Sequence, residues 1–202
     1  MADSLEHTGD SETAGTKMRQ SNAGGVPERQ WYIATVKRYT EEHCCKRVKE
    51  LGYEAYVASQ EETRVYANRH RRTITRVIIP SIVFIRATEE ERIRILKTCP
   101  FIPAFLTNKA SKPNEFGRHP MAVIPDSQMA TLQFMLHHAD TPVSFTDTPL
   151  SKGDRIRVIR GPLAGFEGFV TQNDKKAELV INIDFLGTAK TSISVEDIEK
   201  IF

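Results

Sequence analysis

The side chains in this sequence that could do chemistry are arranged for contact with charged and apolar partners rather than for turnover. Arg69, His70, Arg71 and Arg72 stand in succession. Four consecutive nitrogenous side chains can neutralise phosphates, and an arginine plane can also stack on an unpaired base. Lys37 and Arg38 form a second basic pair. A plain solvated loop is the other reading of the run. The sets that would support catalysis are missing: there is no Gly-x-x-x-x-Gly-Lys phosphate loop, no His-Glu-x-x-His and no Cys-x-x-Cys. His43, Cys44 and Cys45 crowd one helical turn, and His137 and His138 point different ways around a helix, so neither set makes a metal site alone. These patterns predict a protein that is not an enzyme and takes no metal or cofactor.

Composition narrows the partners. The net charge of +2 hides an asymmetry: residues 30–126 carry 17 basic and 11 acidic side chains, whereas 127–202 carry 8 and 10. A basic middle suggests a polyanion near that segment and argues against the tail gripping nucleic acid by charge alone. No apolar run approaches the length of a membrane span, so no membrane partner is expected. The N-terminus lacks a hydrophobic segment, which predicts a cytoplasmic protein. Cys44, Cys45 and Cys99 form an odd set expected to be reduced and buried.

The elements that must position these groups follow from periodicity. Residues 1–29 are rich in Ser, Thr, Gly and Glu and read as a disordered leader. Alternation predicts a strand over Gln30–Val36. Thr40 then caps a helix with Cys44, Val48 and Leu51 on one face, and Gly52 ends it. A strand over Tyr53–Ser59 and a hairpin over Glu61–Arg76 with the basic run at its tip come next. The β-branched run Ser81–Arg86 reads as a central strand. Thr88 to Glu91 is a capping box for a second helix, with Ile93, Leu96 and Ile95 turned inward. A third helix from Asp126 faces the sheet with Met129, Leu132, Met135 and Leu136. Residues 139–150 read as a linker, followed by four strands near 154–160, 166–172, 178–184 and 188–195 and a final turn.

The stretch SKGDRIRVIRGPLAGFEGFV, residues 151–170, alternates Ile156 and Val158 with arginines and then carries Gly-Pro-x-x-Gly-x-x-Gly. It resembles the KOW motif that opens small SH3-like barrels in elongation factors and ribosomal proteins. Upstream, WYIATVKRYTEEH, IIPSIVFIRA, CPFIPAFL and HPMAVIPDSQMATL are similar to successive segments of the NGN domain of NusG, the bacterial elongation factor. The resemblance covers roughly residues 30–202. It implies an α+β protein: a ferredoxin-like NGN α/β sandwich over 30–138, a linker over 139–150 and an SH3-like all-β KOW barrel over 151–202. Ser81 and Ile82 stand where the family has Gly-Tyr, and Phe101 replaces a glycine. These departures favour a specialised paralogue of the RfaH or UpxY kind, an antiterminator of selected operons such as surface polysaccharide loci. A housekeeping NusG, a ribosome-associated KOW protein binding structured RNA, and a generic adaptor stay open as alternatives.

The same resemblance implies the partners and their residues. An apolar depression would receive the clamp helices of the largest subunit of RNA polymerase, lined by Tyr32, Ile82, Phe84, Phe101, Ile102 and Phe105. Trp31, Ile33 and Val83 fit the core better, and Tyr32, Ile82 and Phe84 fit either role. A charge at Ile82 or Phe84 would then abolish polymerase binding with the fold intact. Arg92 and Arg94 match the place where specialised relatives touch the opposite side of the polymerase cleft, although a solvated helix face also fits. Lys37, Arg38, Arg69, His70, Arg71 and Arg72 would lie towards the non-template DNA. In the barrel, Phe185, Leu186 and Gly187, with Phe166, match the loop that contacts a small-subunit ribosomal protein or Rho; Phe166 would equally plug the barrel.

Overall fold

The computed structural model describes residues 28–65, 71–147, 153–173 and 176–201. In chain order these form β1 (Gln30–Thr35), α1 (Glu41–Glu50), β2 (Glu54–Tyr56), β3 (Ser59–Val65), β4 (Arg71–Val77), β5 (Ile82–Ala87), α2 (Glu89–Thr98), β6 (Ala104–Phe105), β7 (Val123–Ile124) and α3 (Asp126–His138). There follow β8 (Ser144–Thr146), β9 (Asp154–Val158), β10 (Glu167–Asn173), β11 (Lys176–Ile183), β12 (Gly187–Ile193), a 3-10 turn (Val195–Asp197) and β13 (Ile198–Lys200). Of the predicted leader, residues 1–27 lie outside the described residues. Arg29 donates to Glu91 at 2.7 Å and so belongs to the folded part.

β1 sits inside an antiparallel sheet of order β2-β5-β1-β6, with β7 also paired to β1. Its pleat sends Tyr32 and Ala34 to one face and Trp31 and Ile33 to the other, and β5 does the same with Val83 and Ile85 against Ile82 and Phe84. The Tyr32 face is covered by Cys44, Cys45 and Val48 of α1 and Ile95 of α2, and the Trp31 face by Met129, Leu132, Met135 and Leu136 of α3. Burial on both faces is why these strands read as continuous apolar runs.

Two helix phases differ from the sequence expectation. The α2 capping box forms as expected: Thr88 Oγ1 accepts from Glu91 N at 3.2 Å, and Glu91 Oε2 accepts from Thr88 N at 2.8 Å. The inward positions are nevertheless Arg92 and Ile95, while Ile93 and Leu96 are each 39% exposed. In α1, Cys45 is buried and Leu51 lies beyond the last turn, exposed. In α2 an arginine took the inward place because Glu89 satisfies its guanidinium there, which hydrophobicity alone does not register.

A six-stranded antiparallel sheet of order β13-β9-β10-β11-β12-β8 forms the second layer system. Its first strand in the chain, Ser144–Thr146, falls where the sequence pattern predicts a linker, and it pairs with β12, Ala189 opposite Phe145. Gly165 has φ +86° in the turn between β9 and β10 and donates to Val158 O at 2.8 Å. Gly187 has φ +138°, and a Cβ there would lie 2.2 Å from Thr146 O, so only glycine fits.

This sheet packs on α3. Phe166 stacks on Phe134 with centroids 6.0 Å apart, Asp184 N donates to Gln128 Oε1 at 2.9 Å, and one apolar cluster runs from Trp31 and Phe84 through α3 to Ile156 and Leu179. The segment after α3 is held by Gln60, a buried side chain of β3. Its amide donates to Ala139 O at 3.2 Å and Thr141 O at 3.3 Å, and its Oε1 accepts from Val143 N at 2.8 Å. Gln60→Leu keeps the bulk but leaves Val143 N buried without a partner. Urea unfolding should show a loss of about 1–3 kcal/mol, and an unchanged midpoint would refute the role given to this side chain.

Candidate functional site

Arg92 is the polar centre of the α2 face. It is 7% exposed, and its guanidinium donates through Nε to Glu89 Oε2 at 2.8 Å and through an Nη to Glu89 Oε1 at 2.5 Å. The same group lies 5.8 Å from the Tyr32 ring centre and 5.5 Å from that of Phe105, and those two rings meet edge to face at 6.1 Å. Tyr32 donates its hydroxyl to Glu89 Oε2 at 3.2 Å. Its pKa is pushed up to about 12, first by burial and then by the Glu89 charge, so it stays a donor. The Arg92 hydrogen bond holds the Glu89 carboxyl below the usual carboxylate range, and Glu89 in turn raises Arg92. Cation–π contact and a bidentate ion pair together satisfy a guanidinium that would be costly to bury alone.

The residues expected to line one apolar depression are divided by the sheet. Ile82 and Phe84 are buried under α3, whereas Tyr32, Ile102 and Phe105 are buried on the opposite face with α1 and α2. Phe101 is half-buried at that second face, with the Arg47 guanidinium 4.7 Å from its ring centre. A charge at Ile82 or Phe84 would therefore enter the core and unfold the protein, which corrects the expectation that the fold survives it. Arg92 is corrected too, from a surface contact to a fixed ion pair, while Arg94 is exposed.

The basic residues fare differently. Arg71 and Arg72, at the start of β4, are exposed, as are Lys37 and Arg38; Arg69 and His70 lie outside the described residues. The structure brings the β1–α1 loop to the foot of the hairpin. A cleft of about 510 Å³ lies between Arg38, Tyr39, Glu41 and Glu42 on one side and Thr75, Arg76, Val77 and Pro80 on the other. Tyr39, which sequence reasoning passed over, is 87% exposed at φ +69°, with the Arg38 guanidinium 5.3 Å from its ring centre. A bulky residue in the left-handed region was the one signal, and it is a backbone signal invisible in the sequence. Arg76 is committed elsewhere, ion-paired with Glu62 and donating to Val143 O at 2.8 Å.

In the barrel, Phe185 is 46% exposed at φ +66°, Leu186 packs half-buried against the core, and Gly187 backs onto Thr146. Phe166 is 7% exposed and faces α3, so it belongs to the contact between the layers, not to an open surface. Arg155 and Arg157 both pair with Glu167, at 3.2 and 2.7 Å, which leaves the β9 arginines occupied. Each histidine at the end of α3 has Nδ1 against its own helix: His137 at 2.6 Å from Gln133 O and His138 at 2.9 Å from Phe134 O. Among the described residues no three His, Cys, Asp or Glu side chains gather as a metal site, and no helix is long and apolar enough to cross a membrane.

A family model described as "Transcription termination factor nusG" matches residues 29–133. Among solved structures, the chain is similar to one titled "Domain interaction in Thermotoga maritima NusG", at 17% identity over 87% of this chain and 98% of that one, with a TM-score of 0.45. It is also similar to the MjSpt4:Spt5 complex in its conformation A, at 12% identity over 85% and 97% of the two chains, with a TM-score of 0.28. No curated protein matches the chain.

Glu89 supplies a test of the α2 cluster. Its folded pKa lies below its unfolded one, so its stabilisation is present above the ordinary carboxylate range and is lost as pH falls through the lowered value. Glu89→Gln should cost about 1 kcal/mol at pH near 7, a figure discounted for the exposure of Glu89, and almost nothing in acid near pH 2. Urea unfolding at the two pH values checks it, and an equal loss at both would contradict the ion pair.

Proposed function

The chain belongs to the NusG family, and from that premise we propose a transcription elongation and antitermination factor that binds RNA polymerase and suppresses pausing or termination on selected operons. The observation that carries the reading is the cleft where the Lys37–Tyr39 loop meets the hairpin base. It sets exposed Arg38 and the exposed ring of Tyr39, with exposed Lys37 next in the chain, against the far end of a strand that begins with exposed Arg71 and Arg72. Such a surface suits the non-template strand, by phosphate neutralisation and base stacking.

The polymerase clamp helices, in this reading, dock on the α3 layer that Ile82 and Phe84 support from beneath. The aromatic offered there is Phe134, which now stacks on Phe166 beside Ala130, Thr131 and Gly165. Polymerase and barrel therefore compete for one face, and binding selects the undocked population. The released barrel would present Phe185, the more exposed member of its loop, to a ribosomal protein or to Rho. A specialised role rather than a housekeeping one is supported by the residues at 81 and 82. Ser81 keeps a left-handed φ of +64°, with its N–H donating to Glu41 Oε1 at 2.7 Å, so the backbone there stays glycine-like while the side chains differ.

Transcription by purified polymerase on long templates, scored for pauses and read-through, tests the proposal. Added protein should shorten pauses. The quadruple change Lys37→Ala, Arg38→Ala, Arg71→Ala, Arg72→Ala should weaken this by about ten-fold or more in the concentration required, since four phosphate contacts are removed. No effect of the wild-type chain on pausing or termination would overturn the function.

A further inference from the structure

The loop between β6 and β7 is built with more care than a connection needs. Asn108 Nδ2 donates to Ser111 Oγ at 2.8 Å, its Oδ1 accepts from Ala110 N at 3.1 Å, and its backbone N–H donates to Pro120 O at 2.8 Å. Asn114 Oδ1 accepts from both Phe116 N and Arg118 N, at 3.0 and 2.9 Å, and His119 Nδ1 lies 2.9 Å from Ser111 O. The backbone on both sides of Phe116 is thus pinned, yet its ring is 77% exposed. Lys109, Lys112 and Arg118 share its loop, all exposed and none ion-paired among the described residues, with Glu115 the one carboxylate on the loop.

We propose that residues 108–119 form a further contact for an unpaired nucleic-acid strand, with Phe116 as a base-stacking platform and Lys109, Lys112 and Arg118 neutralising the flanking phosphates. A single ring is too little apolar surface to anchor a protein, which needs several desolvated side chains in a pocket. A base needs one π-face, and the three cations match its backbone. A loop backbone already pinned on both sides of the ring also has less entropy to lose on binding. The site lies on a different loop from Arg38 and Tyr39 and does not depend on polymerase binding.

The test uses the full chain and fluorescein-labelled mixed-sequence single strands of about 16 nucleotides, one of DNA and one of RNA, read by anisotropy. Phe116→Leu should weaken binding about ten-fold while Phe116→Trp retains it, because stacking and not apolarity is required. Changing Lys109, Lys112 and Arg118 together to Ala should lower the slope of log affinity against log salt by about 2. The DNA and RNA arms tell which strand is preferred. Circular dichroism confirms that the variants fold, as exposure of Phe116 leads one to expect. Phe116→Leu within about two-fold of wild type, or no single-strand binding by the wild-type chain, overturns the proposal. So does a loss of polymerase binding with strand binding unchanged, which would mark a protein contact. If only Arg71→Ala with Arg72→Ala weakens strand binding, this site fails while the cleft at Arg38 stands.

Discussion

The whole arrangement hangs on α3 being buried from two sides. One side carries Met129, Leu132 and Met135 down onto Trp31, Ile33 and Phe84; along its other side Phe134 and Gln128 meet the barrel. Neither the first sheet nor the barrel is closed without it. Gln60 ties the end of the helix and the segment that follows it to the hairpin. A helix with so little asymmetry in its side chains fits that place, because a helix apolar on more than one stripe must be covered on more than one stripe.

Most of the fold was legible in the sequence because the dominant signals were local. The order of strands and helices, the capping box at Thr88, the inward face of α3 and the glycine-rich turn at Gly165 all depend on a few neighbouring residues. Failures came where a tertiary partner changed the value of a residue. Arg92 looks like a surface residue until Glu89 and two rings enclose it. Ser144–Thr146 lacks a strand pattern because its pairing is borrowed from β12. Strand alternation also could not tell which of two buried faces holds Tyr32 and which holds Phe84.

The candidate sites divide on the same line. Exposed basic groups stayed at the surface, at Lys37, Arg38, Arg71 and Arg72, where no ion pair among the described residues holds them. Apolar groups were largely consumed by the core, leaving Phe134 and Phe166 facing each other and Phe116 facing solvent. Burial in a close-packed interior is decided by the whole chain, whereas solvation of a lysine is decided on the spot.

The central claim of the account is that the barrel and polymerase share the outer face of α3. Amide hydrogen exchange on the full chain, with and without purified polymerase, tests it most directly. The account predicts that residues 163–168 lose protection when polymerase binds while those of α3 keep or gain it. Residues 163–168 retaining their full protection in the complex would contradict it.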